Sequence, residues 1–158
     1  MTDTAGQDRA GRVREQRPAV EFSHSGVCCG DLERAIRFYC DALGFSVTKQ
    51  LDIGPSFEAL TELPGYRAKV VFLQLGDRML ELIAAEFPEV TGTCERRAMN
   101  QRGITHLCFN VSDLREVCRS IEKAGGSVHR QTLTELPVSD IVFCTDPDGT
   151  RIELVQAK

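Results

Sequence analysis

Two segments of the chain carry apolar residues at helical spacing, and each is bracketed by the same punctuation. In the first, Leu32, Ala35, Ile36, Tyr39 and Leu43 fall on one stripe; in the second, Leu114, Val117, Cys118 and Ile121 do. Asp31 and Asp113 stand where an N-cap belongs, and Glu116, three residues after Asp113, completes a capping box. Gly44 and Gly125-Gly126 mark the helix ends. Beyond each helix the period changes to that of strands. Phe45 to Leu51 and Ser127 to Leu133 are the first candidates, followed by the hairpins KVVFLQLGDRMLELIA and DIVFCTDPDGTRIELVQ, with turns at Gly76-Asp77 and Asp146-Pro147-Asp148-Gly149.

The two halves repeat one another. His24 precedes Asp31-Leu32 by seven residues in FSHSGVCCGDL, and His106 precedes Asp113-Leu114 by seven in ITHLCFNVSDL. Each half reads strand, helix, strand, strand, strand. The chain therefore divides into a disordered tail at 1–20 and a single domain at 21–157, made of module one (21–84), a connector (85–102) with a short helix, and module two (103–157). Residues 52–68 form an excursion in the first module without a counterpart of equal length in the second, and loops of that kind are often functional.

Composition narrows the class without choosing a chemistry. The length of 158 residues and the 42% hydrophobic and 27% charged content fit an ordinary soluble domain. No apolar run reaches the roughly 18 residues that cross a bilayer, and no secretory signal opens the chain, so a cytoplasmic protein without membrane contact is expected. The net charge is -4; residues 1–20 hold four Arg against two Asp and one Glu, which leaves the body at about -5 and argues against nucleic acid as a partner. Seven cysteines without a CxxC pair read as buried free thiols, Cys28 and Cys29 pointing to opposite faces of a strand.

Strand alternation then singles out four side chains. His106 shares a face with Ile104, Cys108 and Asn110, while Leu107, Phe109 and Val111 take the face that covers the helix. Glu81 lies between Leu80 and Leu82, and Glu153 between Ile152 and Leu154, so both carboxylates leave the helix-packed side. Singly, each has a blander role: a hydrogen-bonded core histidine, or a glutamate paired with Arg78 or Arg151. Their matched positions favour a common one. Two imidazoles and two carboxylates suit a divalent metal of borderline hardness, with two negative charges to balance it. His129 has no partner in the first half and is expected at the surface.

At these residues the chain resembles the vicinal oxygen chelate superfamily, which includes glyoxalase I, methylmalonyl-CoA epimerase, extradiol dioxygenases and the fosfomycin and bleomycin resistance proteins. The resemblance spans roughly residues 20 to 157 through the His24 strand, DLERAIRFYCDALGF, FLQLGDRMLELI, GITHLCFNVSDL and DPDGTRIELVQ. It implies an α+β fold of two paired βαβββ modules forming a half-open β cup around one divalent ion (Zn, Ni, Co, Mn or Fe), held by His24, Glu81, His106 and Glu153. It also implies a small-molecule substrate with two neighbouring oxygens and a cup completed either by the two modules of one chain or by modules exchanged between chains; a homodimer is expected because paired modules leave sheet edges to cover. The hairpin and connector pattern is most similar to methylmalonyl-CoA epimerase, with Glu153 and Glu81 as catalytic bases, Glu58 or Glu62 sharing the work, and an acyl-CoA met by Arg67, Lys69, Arg96, Arg97 or Arg102. The alternatives are a glyoxalase I-like lactoylglutathione lyase, which uses the same ligands, and a metal-free drug-binding resistance protein. No substrate-binding residue is assigned beyond these.

Overall fold

A computed structural model describes residues 19–158; most of the segment expected to be a disordered tail, residues 1–18, lies outside the described residues. The first module contains β1 (Ser25–Cys28), α1 (Leu32–Leu43), β2 (Ser46–Ile53), the short α2 (Glu58–Thr61), β3 (Arg67–Leu75) and β4 (Arg78–Phe87). The second contains β5 (Leu107–Asn110), α3 (Leu114–Lys123), β6 (Ser127–Val128), β7 (Thr134–Glu135), β8 (Ser139–Thr145) and β9 (Arg151–Ala157). Their sheets run β1-β4-β3-β2 and β5-β9-β8-β6, with β7 also paired to β8. In both, the strand ahead of the helix lies at the sheet edge, parallel to the last strand of its module. The duplication is thus real at the level of topology.

The helix ends follow the expected chemistry. The Asp31 carboxylate accepts from the Arg34 N–H at 2.9 Å and that of Asp113 from the Glu116 N–H at 2.9 Å, each cap contributing about 1 kcal/mol. The capping box is only half made, because the Glu116 side chain turns to Arg119. Gly44 closes α1 with φ 77°, a left-handed conformation that costs a residue with a side chain more than it costs glycine.

One core spans both modules. Phe38, Tyr39, Leu73 and Leu82 of the first are buried with Ile121, Cys144, Ile152 and Leu154 of the second, and Phe45 meets Phe109 edge to face at 6.0 Å between centroids. A polar clasp reinforces this contact. The Tyr39 hydroxyl donates to Asp146 Oδ2 at 2.9 Å, and Asp148 accepts from the Arg34 guanidinium at 2.8 Å and from the Gly30 N–H at 3.3 Å. Burial, then the Asp146 charge, pushes the Tyr39 phenol well above its usual range, so it remains a donor. Asp146 also accepts from the N–H groups of Asp148 and Thr150, which satisfies a carboxylate that is only 4% exposed.

Three expectations are corrected. The strand expected over Ser127 to Leu133 breaks after Val128 into a 3-10 turn at Arg130–Thr132. There the Thr132 hydroxyl donates to the His129 carbonyl at 2.7 Å and accepts from the Phe143 N–H at 2.9 Å, taking a ladder partner for itself. The connector forms no helix: β4 continues to Phe87, past the expected boundary at 84, and Pro88 and Gly92 then interrupt any regular element. The excursion expected over 52–68 narrows to residues 54–66, because β2 reaches Ile53 and β3 starts at Arg67.

Gly126 is the tightest seam between the modules. A Cβ there would lie 2.6 Å from the Phe38 ring and 2.6 Å from the Thr145 carbonyl oxygen. Gly126→Ala is therefore expected to destabilise the chain by about 1–3 kcal/mol, seen as a fall in the thermal midpoint. An unchanged midpoint would show that this contact is slack.

Candidate metal centre

The same construction appears once in each module. His24 precedes β1 and His106 precedes β5, and the registers Gly26↔Glu81 and Cys108↔Glu153 place each glutamate beside the residue two positions after its histidine, on the same face. His24 Nε2 lies 3.3 Å from Glu81 Oε2, and His106 Nε2 lies 3.4 Å from Glu153 Oε2. On the other ring nitrogen, Ser23 Oγ is 2.9 Å from His24 Nδ1 and Thr105 Oγ1 is 2.9 Å from His106 Nδ1. The preceding hydroxyl thus fixes each ring so that Nε2 faces the carboxylate. Phe72 and Phe143, opposite Glu81 and Glu153 in their ladders, set their edges toward the imidazoles at 5.4 Å and 5.7 Å.

The four expected ligands come together as two pairs. Among the described residues no three His, Cys, Asp or Glu side chains gather closely enough to hold an ion, so one chain does not converge all four. The donor chemistry nonetheless fits a divalent metal. Each pair offers one imidazole nitrogen and one carboxylate, too few by itself; two such pairs give four donors whose two charges neutralise a 2+ ion.

Several neighbours of the pairs carry no signal in the sequence. Tyr66, at the end of the 54–66 loop, is buried; burial, then the charges of Cys28 and Glu81, pushes its phenol up. Burial, then the neighbouring Glu153 carboxylate, pushes the Cys108 thiol up to about 11. Its counterpart in the first module is Gly26, which lies beside Glu81 in the ladder and has no side chain to offer it. Cys28 and Cys29 take opposite faces as expected and all seven cysteines are free, but the expectation of buried thiols is corrected: Cys29 and Cys144 are buried, whereas Cys28, Cys94 and Cys108 are exposed.

His129 corrects the expectation of a surface residue. It is half-buried, its Nε2 has no hydrogen-bond partner, and burial, followed by Arg96 and Arg151, lowers its pKa. Neither Glu58 nor Glu62 is joined to the His–Glu pairs by a hydrogen bond or ion pair. Of the expected cationic contacts, Lys69 pairs with Glu86 at 3.7 Å and Arg67 lies over the Phe87 ring at 5.2 Å. Arg97 instead lines a cavity of about 250 Å³ between β1, the start of β5 and the connector, together with His106 and Arg151.

Comparison with known proteins places this geometry among relatives. The model of the Glyoxalase/Bleomycin resistance protein/Dioxygenase superfamily matches residues 21–154. The probable lactoylglutathione lyase of Synechocystis sp. is 31% identical over 134 residues, 84% of this chain and 92% of the relative. The lactoylglutathione lyase of Salmonella typhimurium is 30% identical over 140 residues, 88% and 94% of the two chains. Among solved structures, a glyoxalase family protein from Bacillus cereus superposes with a TM-score of 0.80 at 16% identity, covering 91% of this chain and 98% of that one. The glyoxalase I of Leishmania major gives 0.58 at 24% identity, covering 87% of each. At these identities the structural likeness speaks for the fold alone.

The state of Cys108 offers a direct check on the second pair. With a pKa of about 11, only about one thiol in a thousand is ionised at pH 8, and the thiolate is the nucleophile. Alkylation of Cys108, followed by mass spectrometry, is expected to be slow at pH 8 although the residue is exposed, and to accelerate in Glu153→Gln. Fast alkylation at pH 8 would show that Glu153 does not hold the thiol.

Proposed function

The chain belongs to the Glyoxalase/Bleomycin resistance protein/Dioxygenase superfamily, and we propose that within it the protein is a metal-dependent lyase of the lactoylglutathione lyase type. The observation that carries this reading is the name shared by the relatives at 30–31% identity over most of both chains. Twin His–Glu pairs supply the chemistry it needs. The methylmalonyl-CoA epimerase expectation yields to the alternative, because the relatives reported above are lyases and the same four ligands and hairpins serve either reaction. An acyl-CoA substrate falls with it.

The substrate is the adduct of a thiol with a 2-oxoaldehyde, in which a C–OH and a C=O stand side by side. A divalent ion bound by His24, Glu81, His106 and Glu153 supplies a Lewis acid that lowers the cost of removing a proton next to a carbonyl. Glu153 and Glu81 are the groups that move the proton: it leaves the carbon bearing sulfur and returns to the neighbouring carbon. The hydroxyl proton passes at the same time from the oxygen of the first carbon to that of the second, so the first carbon becomes a thioester carbonyl and the second an alcohol, with no atom gained or lost. Ser23 and Thr105 hold the imidazoles in place, and Phe72 and Phe143 form apolar walls beside the pairs that keep water from the reacting carbons.

The reading also requires a second copy of the chain. The common core and the Asp146–Asp148 clasp fix the modules relative to one another, so hinge motion within a chain is a poor way to unite the pairs. In a homodimer, module one of one copy faces module two of the other, and two equivalent four-ligand sites arise about the twofold axis.

Two measurements test the reading. With methylglyoxal and glutathione, protein loaded with Ni, Co, Zn, Mn or Fe is expected to form the thioester, and Glu153→Gln to lower kcat by about 10²–10⁴; no turnover with any of the five ions would contradict it. Thr105→Val, which removes only the hydroxyl beside His106, is expected to weaken metal binding by about 10–100-fold in a competition titration. Unchanged affinity would show that the hydroxyl does not orient the ring.

A further inference from the structure

The second module departs from the first in the strand that follows its helix. β2 runs continuously from Ser46 to Ile53, whereas its counterpart pairs with β8 only at Ser127–Val128, turns through the 3-10 segment at Arg130–Thr132 and resumes as β7. Beside this break, on the flank of α3, lies a cavity of about 320 Å³. Leu114 and Cys118 of α3, Val128, Leu133 and Val142 form its apolar walls. Leu114 and Val142 belong to the core, while Leu133, just past the turn, is 50% exposed. In the β8–β9 ladder Val142 pairs with Leu154 and Phe143 with Glu153, so the cavity occupies the helix-bearing face of the sheet and the His106–Glu153 pair the opposite one. The two sites are separate.

Three guanidinium groups edge the cavity: Arg115 and Arg119, one turn apart on α3, and Arg130, the first residue of the 3-10 turn. Two of them are matched. Arg119 pairs with Glu116, and both terminal nitrogens of Arg130 donate to the Glu122 carboxylate, at 2.6 Å and 3.0 Å. Arg115 makes no ion pair among the described residues, so three cations against two carboxylates leave one positive charge beside an aliphatic hollow.

We propose that this cavity binds a medium-chain fatty acid, with the acyl chain against Leu114, Cys118, Leu133 and Val142 and the carboxylate at Arg115. The apolar walls gain by removing a hydrocarbon chain from water, and a single carboxylate equals the single excess charge. A phosphate monoester would bring more negative charge than the edge can balance, and an alcohol would bring none. The volume stands near the lower end of the roughly 300–1,000 Å³ of small-molecule sites, which suits one short chain. Nothing in this reading depends on lyase activity.

Calorimetry on the full chain tests it with octanoate, with octan-1-ol, which keeps the chain without the charge, and with acetate, which keeps the charge without the chain. Wild type is expected to bind octanoate about fivefold more tightly than octan-1-ol, the upper range for an ion pair at an exposed arginine, and to show no binding of acetate. Arg115→Gln is expected to bring octanoate to the level of the alcohol, Arg115→Lys to keep part of the difference, and Cys118→Met, which fills the cavity from its helical wall, to abolish binding of both. Unchanged thermal midpoints without ligand show that these variants are folded. Octanoate is also expected to slow alkylation of the half-buried Cys118, read by mass spectrometry, while leaving the exposed Cys28 and Cys94 unaffected. Octanoate bound no more tightly than octan-1-ol, or with an affinity that Arg115→Gln or Cys118→Met leaves unchanged, overturns the proposal.

Discussion

The hydrogen bond from Tyr39 to Asp146 sits at the centre of a contact that decides how the rest of the molecule can work. Around it, the helix-bearing faces of two similar modules share one core, and the turn before β9 reaches across to Arg34 and Gly30. Tyr39 and Asp146 are buried and bonded to one another, so separating the modules would strand a carboxylate and a phenol as well as expose apolar surface. The modules consequently behave as one body. Each carries its His–Glu pair on the sheet face away from that core, and the pairs remain apart.

Within each pair the order of parts is the same: a hydroxyl behind the imidazole, a glutamate in front, and an aromatic edge beside it. Such repetition is economical: on the proposed reading a single strand-end geometry would supply half a ligand sphere and twofold pairing of copies the other half. The differences between modules are then the informative places. Gly26 stands in the first module where Cys108 stands in the second, and Arg97 and Arg151 line a cavity with His106. A site assembled from unlike halves can hold an asymmetric substrate in one orientation.

Much of this was legible before any coordinates. The caps at Asp31 and Asp113, the hairpin turns and the burial of Leu80, Leu82, Ile152 and Leu154 follow from local chemistry and strand period, so they could be read residue by residue. The His–Glu pairs were legible for the same reason, since equal offsets in a duplicated module imply equal places. What could not be read depends on contacts distant in sequence. The burial of Arg151 comes from the connector residues Arg97 and Met99, more than fifty positions earlier, and that of Tyr66 from a loop without periodicity. The break in the strand after Val128 turns on one threonine hydroxyl competing for the Phe143 amide. The four residues by themselves do not separate an epimerase from a lyase, since the chemistry proposed for either draws on the same donors.

The central claim is that one chain carries two half-sites and that a second copy completes each. Co-expression of a His24→Gln/Glu81→Gln chain with a differently tagged His106→Gln/Glu153→Gln chain, followed by isolation of the mixed dimer, tests it most directly. Neither double variant alone should turn over the thiol adduct. The mixed dimer should recover about half of the wild-type activity and bind one ion, because one of its two sites regains all four ligands. A mixed dimer as inactive as its parents, with both chains folded, would contradict the account.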